Sequence, residues 1–209
     1  MELNEKQLQI IETAEELFAE KGFDGASVRD IADSAGVNVA MISYYFGSKE
    51  KLLEALFKLR AGTTTLKLES MLQDKQLTPL EKVNTLIDFF VEKFNNERCF
   101  HKLLMREQVS NQHTNTVQHI YQFKKHNQQL IRQIIQEGQK SGDFVKQVDI
   151  PLLMATLVGT IGHMVATQHY YRDINNLQSM PDEQFEKLLK KKLSTHLKSI
   201  FKASLTHEA

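Results

Sequence analysis

Tryptophan is absent, cysteine occurs once, and only three prolines and nine glycines are spread over 209 residues. A lone Cys99 cannot close an intramolecular disulfide, which excludes a disulfide-stapled secreted scaffold and fits a reducing compartment. With so few chain breakers, long helices can run uninterrupted, and each proline stands where a helix can begin. Thr78-Pro79-Leu80-Glu81 offers a capping Thr, a proline in the first turn and a Glu that closes a capping box. Asp149-Ile150-Pro151 and Pro181-Asp182-Glu183 repeat the pattern less completely. Runs that alternate apolar and polar residues are nearly missing, so little remains from which to build a sheet. The start, MELNEKQLQ, lacks the basic and apolar segments of a signal peptide. The longest apolar stretch, 150–166, holds Pro151, Gly159, Gly162 and His163 and is short for a bilayer. The expectation is an all-α, cytoplasmic protein that makes no membrane contact.

Charge of either sign is also lacking in bulk, because 26 Lys+Arg balance 26 Asp+Glu. Residues 1–60 are in fact acidic, with 7 basic against 11 acidic side chains, and the rest is correspondingly basic. Composition therefore advertises neither nucleic acid nor a solvating tail. No His-x-x-x-His, Glu-x-x-His or cysteine pair offers metal ligands, and no glycine-rich phosphate loop or nucleophile–base pair suggests catalysis. No cofactor, metal site or enzyme activity is expected.

What is present is helical periodicity. A first helix spans about 4–21, capped by Asn4 with Gln7 and stopped by Gly22; Ile10, Ile11, Ala14, Leu17 and Phe18 line one face. Ser27 caps a second helix with Asp30 reaching back, Gly36 permits a positive-φ turn, and Asn38 caps a short third helix. Ser48 caps a fourth that runs towards Leu72. Further helical patterns cover about 79–95, 98–111, 114–140, 149–171 and 182–205, giving about nine helices. The Gln/His/Asn-rich stretch 108–118 reads as a loop and Ser141-Gly142-Asp143 as a stop.

Residues 27–46, SVRDIADSAGVNVAMISYYF, have the layout of a helix-turn-helix, with small Ala32 and Ala35 where two helices must approach closely. The flanks sharpen this. Ala14…Leu17-Phe18…Gly22-Phe23, then Ser27-Val28-Arg29-Asp30-Ile31-Ala32, Ala35-Gly36-Val37, Tyr44-Tyr45-Phe46 and Ser48-Lys49-Glu50-Lys51-Leu52-Leu53 follow one another without a gap across 10–57. This stretch closely resembles the N-terminal domain of TetR-family transcriptional regulators. The resemblance implies a three-helix DNA-binding head, residues 1–50, joined by the fourth helix to a larger helical effector-binding and dimerisation domain, residues 51–209. It implies a homodimeric repressor that leaves a palindromic, double-stranded operator when a small molecule binds.

The candidate DNA-binding residues follow from position and chemistry. Tyr45 and Lys49 flank the start of the fourth helix, where a hydroxyl, an ammonium and free backbone N–H groups suit a phosphate. Ser27 and Arg29 stand at the start of the second helix. The third helix offers Asn38, Val39, Ala40, Ser43 and Tyr44, a set without Arg, Lys or Gln. Base reading then rests on thymine methyls and single hydrogen bonds, with DNA shape and dimer spacing adding discrimination. For the remainder, Phe90, Phe94, His101, Leu104, Met105, Phe123 and His163 are candidate effector contacts, and their character favours a lipophilic or aromatic ligand. Leu157, Ile161, Leu189, Leu193, Leu197 and Ile200 are candidates for a four-helix bundle about a two-fold axis. The rival readings are a DNA-binding scaffold without sequence preference, and a helical small-molecule binder or enzyme that merely contains a three-helix unit.

Overall fold

Side-chain oxygens write most of the helix starts. Asn4–Gln7, Ser27–Asp30 and Thr78–Glu81 each form the reciprocal pair of a capping box, and Asn38 and Asp149 cap with a single bond. The computed structural model describes residues 3–110 and 114–207 and contains ten helices, with no strand among the described residues. They are α1 (Glu5–Lys21), α2 (Val28–Ser34), α3 (Val39–Phe46), α4 (Lys49–Gln73) and α5 (Pro79–Asn96). Then come α6 (Arg98–Ser110), α7 (Thr114–Ser141), α8 (Ile150–Ala166), α9 (Gln168–Ile174) and α10 (Asp182–Leu205).

The all-α expectation holds, with one helix more than the nine read from periodicity. The expected 149–171 helix breaks at Thr167, and the axes of α8 and α9 differ by 73°. No glycine or proline marks that break. Thr167 turns its own N–H and hydroxyl back onto the His163 carbonyl (2.9 and 2.8 Å), ending the ladder with a local bond that periodicity does not register. The loop expected over 108–118 is also corrected. Gln108–Ser110 closes α6 and Thr114–Gln118 opens α7, while Asn111–His113 lie outside the described residues. Among the described residues no single helix is long and apolar enough to cross a membrane.

The chain divides into two compact units, one of Met1–Leu66 with Arg98–His126 and one of Lys67–Glu97 with Asn127–Ala209. The first thus reaches beyond the 1–50 segment marked out by sequence. Its core gathers Ile10, Ile11, Ala14 and Phe18 of α1, Ile31 and Ala32 of α2, Ile42 of α3 and Leu52, Leu53, Leu56 and Phe57 of α4, and it also takes in Phe100, Leu103 and Ile120. Phe57 and Phe100 meet with ring centroids 5.4 Å apart. A head of some fifty residues buries too little surface to stand alone, and α6 supplies what is missing. The second unit has its own core, in which α8 contributes Leu153, Leu157 and Ile161 and α10 contributes Phe185, Leu189, Leu193, Leu197 and Phe201. On the surface of that unit, Asp88 and Glu92 of α5 pair with Lys198 (2.6 Å) and Lys190 (2.9 Å) of α10.

Candidate nucleic-acid interface

Two left-handed glycines make the helix-turn-helix. Gly36 (φ +61°) follows α2; the Val37 N–H reaches the Ala32 carbonyl (3.0 Å) and the Gly36 N–H reaches Asp33 (3.2 Å). This pair of bonds closes a helix on a residue that a Cβ would strain. The Ala35 carbonyl, left over at the helix end, accepts 2.9 Å from the Gln9 side chain of α1. At the far side Gly47 (φ +81°) ends α3, and Ser48 at once caps α4 by accepting from the Lys51 N–H.

Only Ile42 and Phe46 of α3 are buried. Asn38, Val39, Ala40, Ser43 and Tyr44 are all exposed, Tyr44 to 83% and Val39 to 38%. An amphipathic helix of eight residues this short, held by two buried side chains, presents its other face outward. Asn38 has a dual position: its Oδ1 accepts the Ala40 N–H (2.9 Å), which leaves its amide NH₂ for another partner. Tyr45 is half-buried and meets Tyr44 edge-on at 5.3 Å. Ser27 and Arg29 are exposed at the start of α2. There the Asp30 carboxylate accepts from the Ser27 hydroxyl (2.7 Å) and backbone N–H (2.8 Å), and these two bonds hold its pKa below the usual carboxylate value.

Lys49 is half-buried at the start of α4. Its ammonium donates to the carbonyls of Phe23 (2.9 Å) and Ala26 (3.1 Å) and sits 4.2 Å from the centre of the Phe23 ring. Motif position suggests a phosphate contact; in the free chain two of the three ammonium donors are given to the loop before α2. Lys51, passed over in the sequence, is the exposed cation of the same helical turn. Its place within three residues of the Ser48 cap was the available signal. For Gln9 there was none, since its partner is 26 residues away.

The candidate effector residues fall in both units. Phe90, Phe94 and His163 belong to the second, where Phe90 and Phe94 lie 6.4 Å apart and Phe94 approaches Gly162 of α8. His101, Leu104, Met105 and Phe123 belong to the first; Leu104 packs on the head's core and Met105 is 58% exposed. His163 is exposed. A groove of about 590 Å³ in the second unit is lined by Arg132 and residues 146–151, none of them in the expected set.

The dimer candidates need correction. Leu157, Ile161 and Leu197 are wholly buried within one chain, Leu189 and Leu193 nearly so, and Ile200 packs against the same core. A heptad-like stripe signals burial without saying which partner buries it. The exposed line of α8 is instead Leu152, Ala155, Gly159, His163 and Ala166.

A short, outward-facing helix suspended after a glycine turn on a three-helix head defines a helix-turn-helix DNA-binding regulator. The profile of the tetR family of bacterial regulatory proteins matches residues 10–56, and that of a tetracyclin repressor-like C-terminal domain matches 79–193. The chain belongs to the TetR family, whose members are DNA-binding, ligand-responsive regulators and not enzymes. Among relatives, a fatty acid metabolism regulator protein of Bacillus subtilis (strain 168) is 31% identical over 164 residues, covering 78% of this chain and 82% of that one. The structure of FadR from Bacillus subtilis in complex with stearoyl-CoA is similar with TM-score 0.67 at 26% identity, over 92% of this chain and 97% of that one. The ketosteroid regulator KstR2 of Mycobacterium tuberculosis shares the fold with TM-score 0.72 at 20% identity, over 99% and 98%.

Proposed function

We propose that the chain is a cytoplasmic homodimeric repressor that binds a palindromic operator through α3 and leaves it when a lipophilic ligand binds the second unit. The observation that carries this reading is the free face of α3: Val39, Ala40, Ser43 and Tyr44 are exposed while the same helix buries Ile42 and Phe46. Val39 and Ala40 suit thymine methyls, and Asn38 and Ser43 give single hydrogen bonds. Ser27, Arg29, Tyr44, Tyr45 and Lys51 form the surrounding backbone contacts. Two such heads read half-sites about 34–36 Å apart.

Dimerisation is assigned to the exposed line of α8 with Thr195, Ser199 and Ala203 of α10, which are also exposed and recur every fourth residue. Leu152 is 66% exposed in a single chain, and Gly159 leaves open space for a neighbouring backbone. The ligand class draws support from the phenylalanine run of α5, where Phe89 and Phe90 lie 5.7 Å apart and Phe94 is buried. It also draws on the relative named for fatty acid metabolism and the FadR structure holding stearoyl-CoA. Moving a dimer from 99:1 bound to 1:99 requires about 5.5 kcal/mol of differential ligand affinity.

Selection of bound fragments from a random oligonucleotide pool tests the reading, followed by release with a series of acyl-CoA thioesters and free fatty acids. A palindromic consensus whose preference shifts with Val39→Ala supports it. Binding that random DNA competes equally well makes the protein a scaffold, and a consensus indifferent to Val39 removes α3 as the reader.

A further inference from the structure

Residues 1–60 carry seven basic side chains against eleven acidic ones, so where each cation is held decides what this part of the chain can offer a phosphate. Lys6, in the first turn of α1, is held by an amide. Its ammonium donates to Gln9 Oε1 (2.9 Å), and the Gln9 amide nitrogen donates in turn to the Ala35 carbonyl (2.9 Å). The Asn4–Gln7 capping box fixes the turn from which Lys6 and Gln9 rise, three residues apart and neighbours on one face. A single amide group thus separates a lysine of α1 from the last carbonyl before Gly36.

That carbonyl belongs to the joint that aims the third helix. Ala35 is buried and ends α2, Gly36 turns the chain with φ +61°, and Asn38 caps α3. With eight residues and only Ile42 and Phe46 buried, α3 takes much of its direction from its two ends. The Gln9 bond is part-buried, and a carbonyl there that loses its donor keeps the desolvation cost without the bond. A cation on the far side of the amide polarises it and strengthens the bond to Ala35. Lys6 is exposed, and of its three N–H donors one goes to Gln9, which leaves two for another acceptor. We infer that Gln9 is a positioning residue for α3, and that Lys6, carried on the same amide, contacts an operator phosphate. This rests on the reading of α3 as the element that reads the operator.

Salt dependence and base preference separate the two roles. A phosphate contact sets the slope of log K against log salt, and a correctly aimed helix sets the affinity ratio between the consensus and a single-base variant of it. The full-length protein and its Lys6→Met, Gln9→Glu, Gln9→Met and Val39→Ala variants are titrated against both DNAs at several salt concentrations, with melting temperature measured alongside. Lys6→Met is expected to lower the slope by about 0.9 per subunit and to leave the ratio nearly unchanged. Gln9→Glu keeps the volume and an acceptor for Lys6 but has no N–H for Ala35. It is expected to keep the slope and to lower the ratio about fivefold at an unchanged melting temperature, the equivalent of one hydrogen bond. Gln9→Met loses both partners and is expected to show both changes. An unchanged slope in Lys6→Met overturns the phosphate contact, and an unchanged ratio in the two Gln9 variants overturns the positioning role. Val39→Ala without effect on preference removes α3 as the reader instead, whatever the Gln9 variants do.

Amine acetylation of the unmodified protein checks Lys6 without a variant. Operator is expected to shield its ammonium, and equal labelling with and without operator overturns the contact.

Discussion

The two units each lock a loop with a cation laid on a phenylalanine ring, and the locks differ in what they hold. In the head, Lys49 joins two carbonyls and the Phe23 ring. In the second unit, the Arg172 guanidinium lies 4.0 Å from the centre of the Phe185 ring, donates to the Met180 carbonyl (3.0 Å) and pairs with Asp182 (2.6 Å). Arg172 thereby pins the 175–181 turn between α9 and α10, a turn that contains the left-handed Asn176. Guanidinium offers donors in a fork and can serve ring, carbonyl and carboxylate together; the ammonium is a point charge that here meets two carbonyl oxygens and the ring. The first lock sits beside a surface that must meet DNA in register, the second beside a core. The same chemistry holds the loop that leads into α2 in one place and the turn that leads into α10 in the other.

The largest effect that sharpens this contrast is Phe185→Ala. Phe185 is fully buried, so its loss is expected to cost about 3–5 kcal/mol in denaturant unfolding. Next comes Arg172→Met, which removes charged hydrogen bonds worth about 1.5–3 kcal/mol. Melting temperature should fall while operator affinity, measured where the protein remains folded, stays put. A loss of operator affinity at constant fold content would erase the distinction between the two locks.

Smaller effects come from the capping boxes, of which Ser27–Asp30 in the first unit and Thr78–Glu81 in the second make a matched pair. Ser27→Ala and Thr78→Ala should each cost about 1 kcal/mol of helix stability, and only Ser27→Ala should weaken operator binding. Their carboxylates provide the finest test. Hydrogen bonds from Ser27 to Asp30, and from Thr78 to Glu81, hold both groups below their ordinary pKa values. A carboxylate depressed on folding stabilises above its unfolded pKa, and the contribution disappears as pH falls through the folded value. Amide shifts of Ser27 and Thr78 should therefore titrate at lower pH than unpaired carboxylates do. Asp30→Asn should abolish the first titration and leave the second.

Local chemistry was the legible part of the sequence. Asn4–Gln7, Ser27–Asp30 and Thr78–Glu81 are three-residue patterns, and Gly36 was required by a turn whose neighbours were already identified. The outward face of α3 followed from the same spacing. Long-range facts were not legible. Nothing near Phe100, Leu103 or Ile120 announces that they complete the head's core, and nothing near Lys49 announces a partner 26 residues upstream. The apolar stripes of α8 and α10 pack into the core of their own unit, and periodicity reports a buried side without naming what buries it. Thr167 ended a helix with a residue that propensity treats as neutral.

The glycines on either side of the recognition helix have one more consequence. A Cβ at Gly36 would meet nothing within 4 Å, and at Gly47 only the flexible Lys51 side chain at 3.6 Å. Residues 37–46 are thus bounded by two glycine turns that no side chain of the helix itself crowds. With the Asn38 cap, Ile42 and Phe46 retained, the segment is an exchangeable cassette: grafting other side chains at 39, 40, 43 and 44 should reprogram the operator while leaving the scaffold that carries it intact.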